Sequence, residues 1–222
     1  MATVAKIFQA ITYWPIYLFL KFFLRYEVEG QENLRGLENK SVIFASNHAS
    51  YIDGPISAAA MPRGSFYPHK FFPIRFLVLR EFFNWKNRFS FPVSVLMISY
   101  VHINGSIPVD KARGDLYKAL KDAVEVLNNN ARVWIYPEGG MTKDGKLRQG
   151  KRGVAFLHQQ TGAPIVPVGI IGNFGILSAK TLLRKNKVRV KIGKPIYSLG
   201  EISLEEGAEK VMTEIARLID KI

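Results

Sequence analysis

His48 and Asp53, in Asn47-His48-Ala49-Ser50-Tyr51-Ile52-Asp53, are the residue types of a general base and the acid that orients it. An imidazole held at one ring nitrogen by a carboxylate keeps a single tautomer. Its other nitrogen is then free to take a proton from a hydroxyl. On one continuous helix, side chains five apart diverge by about 140°, so the pair can meet only if His48 sits in a turn. Gly54-Pro55 fits that demand, because proline suits the first position of a helix and pushes the residue before it away from helical geometry. The competing reading is structural: Asp53 caps the following helix, and Ser50-x-x-Asp53 fits a capping box.

Such a pair needs a strand before it and a helix after it. Ser41 to Ser46 reads as a buried strand and Pro55 to Met61 as the start of a helix. Strands are also expected at Tyr26–Glu29, Ser65–His69, Ser106–Val109, Arg132–Tyr136, Pro164–Ile170 and Val188–Ile192. The helix with the clearest pattern runs from Asp115 to Asn128, with Leu116, Leu120, Ala123, Val124 and Leu127 at helical spacing and Asp115 at the cap. Lys151–Gln160 and Leu204–Ile222 are two more helices, and Pro92–Val101 fits either a helix or a strand. Alternating strands and helices predict an α/β fold, a single domain with a mixed, mainly parallel central sheet flanked by helices. A connection outside the carboxyl end of a strand in such a sheet commonly holds the chemistry.

The 222 residues suffice for one domain with a sizeable core. Without cysteine there is no disulfide, thiolate metal site or cysteine nucleophile. The four histidines are scattered without ligand spacing, so no metal site is expected. A P-loop, a G-x-G-x-x-G turn and a G-x-S-x-G elbow are all missing. A net charge of +13 calls for an acidic partner: nucleic acid, anionic lipid or a phosphorylated substrate.

The distribution of aromatic residues helps to choose among these. From Ile7 to Leu24 the chain is apolar around most of its circumference, but it carries Lys21 and Pro15 and falls slightly short of the ~20 apolar residues of a membrane span. With Tyr13, Trp14 and Tyr17 near the break and Lys6, Lys21 and Arg25 able to face anionic lipid, it reads as a bent interfacial anchor or a shallow re-entrant pair of helices. The alternatives are a core helix and a cleaved signal peptide; no small-x-small site supports the second. This divides the chain into an N-terminal membrane segment, 1–25, and a domain, 26–222. From Phe66 to Phe91, aromatic residues interleave with Lys and Arg. No nucleic-acid-binding signature accompanies them, so a membrane face is preferred to RNA or DNA as partner.

Three more segments border expected strands: Gly105 to Lys111 with Arg113 just beyond, Tyr136-Pro137-Glu138-Gly139-Gly140, and Ala163 to Gly169. The second places a carboxylate and two glycines at a strand terminus, where backbone can approach a ligand closely. Behind it stand Lys143, Lys146, Arg148, Lys151 and Arg152, able to hold phosphate or simply facing solvent.

In this order the segments resemble the four blocks of the glycerophospholipid acyltransferase superfamily, in particular the 1-acyl-sn-glycerol-3-phosphate acyltransferases, over about Tyr26 to Ile196. His48-x4-Asp53 matches the catalytic block. Gly105 to Lys111, Tyr136 to Gly139 and Ile165 to Val168 match the other three. The resemblance implies that His48 deprotonates a lysolipid hydroxyl, which attacks the thioester of acyl-CoA or acyl-acyl carrier protein, while Asp53 orients the ring. It implies no cofactor beyond that co-substrate. Lys111, Glu138 and Gly139 are assigned to the acceptor's glycerol phosphate, with Arg113 and Gly140 beside them.

Two departures stand out. Gly140 and Met141 occupy the places of the family's Thr-Arg, and Lys111 the place of an Arg. The Met removes a bidentate phosphate donor, for which Lys143, Arg148, Lys151 and Arg152 are the available replacements. The first expectation is therefore an enzyme at the cytoplasmic face of a membrane, such as the bacterial inner membrane, that acylates lysophosphatidic acid to phosphatidic acid. The alternatives are an acyltransferase for another lysolipid, such as a lyso-aminolipid, and a non-catalytic lipid-binding protein on the same scaffold.

Overall fold

The computed structural model describes residues 2–85, 89–110, 115–176 and 186–220. Seven strands, β1 (Glu27–Glu29), β2 (Val42–Ser46), β3 (Ile74–Leu79), β4 (Ile107–Val109), β5 (Arg132–Ile135), β6 (Ile165–Ile171) and β7 (Arg189–Ile192), form one sheet in the order β1-β7-β6-β2-β5-β3-β4. All neighbours pair parallel except β6 with β7, so the sheet is mixed and mainly parallel, as expected. Among the described residues the α-helices are α1 (Ala2–Leu24), α2 (Asp53–Ala59), α3 (Val93–Ile103), α4 (Leu116–Asn128), α5 (Gly153–Thr161) and α6 (Leu204–Asp220).

The period-two alternation of strand side chains sorts them onto two faces. In β2, Val42 and Phe44 join a core shared with α1 and α2, while Ile43 and Ala45 join one shared with α4, α5 and α6. Trp134 of β5, fully buried, stacks on Phe44 with ring centroids 5.1 Å apart in the first core. Burial on both faces explains why the central strands read as continuous apolar runs.

Helix α4 follows its sequence pattern, burying Leu120, Ala123 and Leu127. Asp115 Oδ1 accepts the Lys118 N–H at 2.9 Å as the cap. Asp115→Ala should lower stability by about 1 kcal/mol, read as a shift in the urea midpoint with an unchanged slope.

Three expectations need correction. Ser65–His69 is a run of bends rather than a strand, and the strand lies further on, at Ile74–Leu79. Arg75 interrupts that apolar run in the sequence, yet its guanidinium donates to the Gly105 carbonyl, so the charge is accommodated beside the sheet. Pro55 is the third residue of α2 rather than its first; first-turn N–H groups lack helical partners, so proline is tolerated there.

The N-terminal segment is one continuous helix with Pro15 inside it, long and apolar enough by composition to cross a membrane. It is neither broken nor paired. A stripe of Ala5, Gln9, Tyr13, Leu20 and Leu24 is buried along its whole length, and the amide of Gln9 both accepts from the N–H and donates to the carbonyl of Ile74, at 2.9 and 2.8 Å. The helix continues past Pro15, a residue that removes one of its hydrogen bonds, while packed against the domain on both sides of it.

Candidate active site

Three adjacent strands, β6, β2 and β5, end at one place, and the loop after each contributes to it. Beyond β2, the Asn47 side chain clamps the neighbouring strand, donating to the Ile170 carbonyl at 2.9 Å and accepting the Ile170 N–H at 2.8 Å. His48 follows in the loop, as its spacing from Asp53 requires. Its Nδ1 lies 2.9 Å from Asp53 Oδ2.

Asp53 is fully buried in the first turn of α2. Its Oδ2 also accepts the N–H groups of Ala49 and Ser50, both at 2.8 Å, and its Oδ1 accepts the Asn173 side-chain amide at 2.9 Å. With donors on every side, the carboxylate makes His48 Nδ1 the protonated nitrogen and leaves Nε2 with the lone pair. The bonds to Ala49 and Ser50 are also what the capping reading anticipated in part, since Asp53 reaches back across the turn. One carboxylate thus both holds the imidazole and braces the turn.

Below the imidazole, Tyr136 stacks at 4.0 Å between ring centroids, nearly parallel at 16°. Burial, then the charge of Asp53, pushes the Tyr136 phenol well above its ordinary range. Tyr100, which lines the same pocket, is raised by burial to about 12. Both are neutral phenols at physiological pH.

Glu138, beyond β5, is almost fully buried. Its Oε1 accepts the His48 N–H at 2.7 Å and its Oε2 the Arg148 N–H at 2.9 Å, while Thr142 N–H donates to the His48 carbonyl at 2.9 Å. Burial raises the carboxyl above its ordinary value, and the two backbone N–H bonds oppose that. The carboxylate therefore braces the backbone of two loops.

His48, with 21% of its side chain exposed, opens into a pocket of about 550 Å³. Leu77, Met97, Val101, Leu120 and Ile135 give it an apolar depth, whereas Lys143 and Lys151 stand with Gly139, Gly140 and Met141 near the histidine. Gly139 has φ +68°, and a Cβ there would come within 2.7 Å of Lys151 Nζ, so glycine lets the lysine lie across the loop. Neither lysine has an ion-pair partner among the described residues. The Arg148 guanidinium donates to the carbonyls of Gly140 and Met141, both at 3.3 Å. It thus stands on the two positions that depart from the family's pattern.

His48, Asp53, Glu138, Gly139, Gly140, Arg148 and Lys151 thus come together. Lys111 and Arg113 lie outside the described residues. Among the described residues no three His, Asp or Glu side chains form a metal-holding group. Sequence reading did not single out Asn173, which reaches Asp53 across 120 positions. Its one signal is a polar residue just past the end of a buried strand.

A family model described as Acyltransferase matches residues 25–171. A chloroplastic 1-acyl-sn-glycerol-3-phosphate acyltransferase of Brassica napus is 27% identical over 213 residues, covering 94% of this chain and 54% of its own length. The 1-acyl-sn-glycerol-3-phosphate acyltransferase of Saccharomyces cerevisiae is 26% identical over 223 residues, covering 96% of this chain and 67% of its own. The chain spans about half the length of the chloroplastic relatives it matches. In fold it is similar to the crystal structure of the 1-acyl-sn-glycerophosphate acyltransferase PlsC of Thermotoga maritima, with a TM-score of 0.67 and 22% identity over 96% of this chain and 81% of that one. The matched stretch contains strands β1 through β6 together with His48, Asp53 and Glu138 in the segments that follow β2 and β5, and the chain belongs to the acyltransferase family.

Proposed function

We propose that this protein transfers a fatty acyl group from acyl-CoA or acyl-acyl carrier protein to the free hydroxyl of 1-acyl-sn-glycerol-3-phosphate, forming phosphatidic acid. The observation that carries this reading is His48, held by Asp53 with Nε2 unpartnered among the described residues, at the mouth of a largely apolar pocket. Nε2 takes the hydroxyl proton as the oxygen bonds to the thioester carbonyl carbon. The carbon–sulfur bond then breaks, and the imidazolium returns the proton to the departing thiolate. Asp53 stabilises the imidazolium between these steps. The acyl chain occupies the apolar depth, whose volume lies in the usual range for ligand pockets, ~300–1,000 Å³.

The acceptor's phosphate is assigned to Lys151 and Lys143, with Arg148 behind them and Lys111 and Arg113 following the pocket-lining Asp110 in sequence. A charge-assisted contact in a partly exposed site is worth about 1–1.5 kcal/mol. Lys151→Ala should therefore raise KM for the phosphate-bearing acceptor about tenfold while changing kcat little. The same variant should leave KM for a lysolipid without a terminal phosphate unchanged.

Met141 in place of an arginine favours a second reading, a lysolipid acceptor of different head group. A panel of lysolipids, each assayed with both thioester donors, separates the two. Ester formed from a lyso-aminolipid but not from lysophosphatidic acid selects the second, and no ester from any pair defeats both.

The exposed apolar side of α1, with Lys6, Lys21 and Arg25 flanking it, suits a membrane interface. Because its opposite stripe is committed to the domain from Ala5 to Leu24, α1 lies along the interface rather than crossing the bilayer.

A further inference from the structure

Helix α3 is apolar on two faces, of which the domain covers one. Its inner face, Met97, Tyr100, Val101 and Asn104 at its end, walls the pocket beside His48. Its outer face exposes Val93, Leu96 at 67% and Ile103, and Phe91 just before it is 80% exposed. Ser99 and His102 are exposed on the same side, and an apolar stripe bordered by such polar groups suits a bilayer interface. At 11 residues the helix reaches about 16 Å, too short to cross a hydrocarbon core of ~30 Å.

Helix α1 packs beside it. Phe8 meets Tyr100 edge to face at 6.2 Å, Gln9 Nε2 donates to the Asn104 carbonyl at 3.3 Å, and a Cβ at Gly105 would come within 2.7 Å of Ala5 Cβ. The exposed side of α1 next to this contact is Val4, Ile7 and Ile11, so the two helices extend one apolar surface. Its charge identifies what covers it. Residues 1–26 and 82–109 contain no Asp or Glu, and Lys6, Lys21 and Arg25 border the apolar side chains of α1. An acid-free apolar surface edged by cations is complementary to an anionic lipid bilayer.

We propose that the outer face of α3 lies in the bilayer beside α1 and forms the membrane-side wall of the pocket, so that a lipid chain passes between bilayer and pocket past α3 without entering bulk water. The passage of the chain rests on the function proposed above; the position of α3 does not.

Because the chain has no cysteine, Leu96→Cys accepts a single environment-sensitive fluorophore. With vesicles of phosphatidylcholine and phosphatidylglycerol, a label at 96 should shift to the blue and be quenched by lipids brominated in the acyl chain. A label at Ile11→Cys on α1 should do the same, and one at Glu209→Cys on α6 should do neither. A silent label at 96 beside a responsive one at 11 overturns the proposal. So does a blue shift at 96 that needs no vesicles and grows with protein concentration, which would assign the face to a second copy of the chain.

Leu96→Glu should weaken vesicle binding by about tenfold or more. Turnover of a long-chain acceptor in vesicles should fall with it, while turnover of a short-chain acceptor dissolved in buffer stays within about twofold. Equal losses on both acceptors would place Leu96 in catalysis or folding instead. A wild-type protein without acyl transfer would defeat the functional reading and leave the fluorescence outcome to decide the position of α3.

Discussion

Replacing His48 by alanine should cut acyl transfer by about four orders of magnitude, equivalent to about 5 kcal/mol of barrier, and leave the protein folded. The size of the effect follows from the proposed mechanism, in which His48 Nε2 takes the hydroxyl proton, while the nearby phenols of Tyr136 and Tyr100 are held neutral by burial. The fold should survive because the ring contributes little to the core. It stacks on Tyr136 and bonds Asp53, whose two oxygens keep the N–H groups of Ala49 and Ser50 and the amide of Asn173 after its removal. Turnover and thermal unfolding measured on the same preparation test both halves. Turnover within about tenfold of the wild type would remove His48 from the mechanism.

Glu138→Ala should be costly in a different way, by about 2–5 kcal/mol of stability together with most of the activity. Its carboxylate is the partner of two N–H groups, those of His48 and Arg148, and the substitution leaves both without it. With that brace gone, the His48 loop loses its position relative to Asp53, and displacement of a catalytic group by ~1 Å can cost about a hundredfold in rate. Glu138→Gln keeps one acceptor oxygen and should fall between the two.

The pH dependence has a definite sign. Burial raises the Glu138 carboxyl, so between its unfolded and folded values the native state holds more protons than the unfolded state. The stability tied to that proton is fully present below the unfolded value and is lost as pH rises through the folded one. The stability advantage of the wild type over Glu138→Gln should therefore shrink as pH rises from the ordinary carboxylate range through the raised folded value. An advantage that grows over this range would contradict the environment assigned to the carboxyl.

What the sequence made legible was local. Apolar spacing and Asp115 located α4 to within a residue, and buried runs located β2, β5 and β6. The five-residue separation of His48 and Asp53 required a turn between strand and helix, which is where the two side chains meet. Errors arose where a distant partner changed what a local pattern meant. Arg75 obscured β3 because the carbonyl that receives its guanidinium is 30 positions away, and Pro15 suggested a break because the domain that α1 packs against is not evident from α1.

By itself, the sequence determined the residue types, their order and the alternation that makes a mainly parallel sheet. Tertiary structure decided what each polar group does. Glu138 accepts the backbone N–H groups of His48 and Arg148, and Asn173 completes the ring of donors around Asp53. The physical reason is that a buried polar atom must find its partner nearby in space. Three strand ends converging at one edge bring together residues that the chain keeps more than a hundred positions apart.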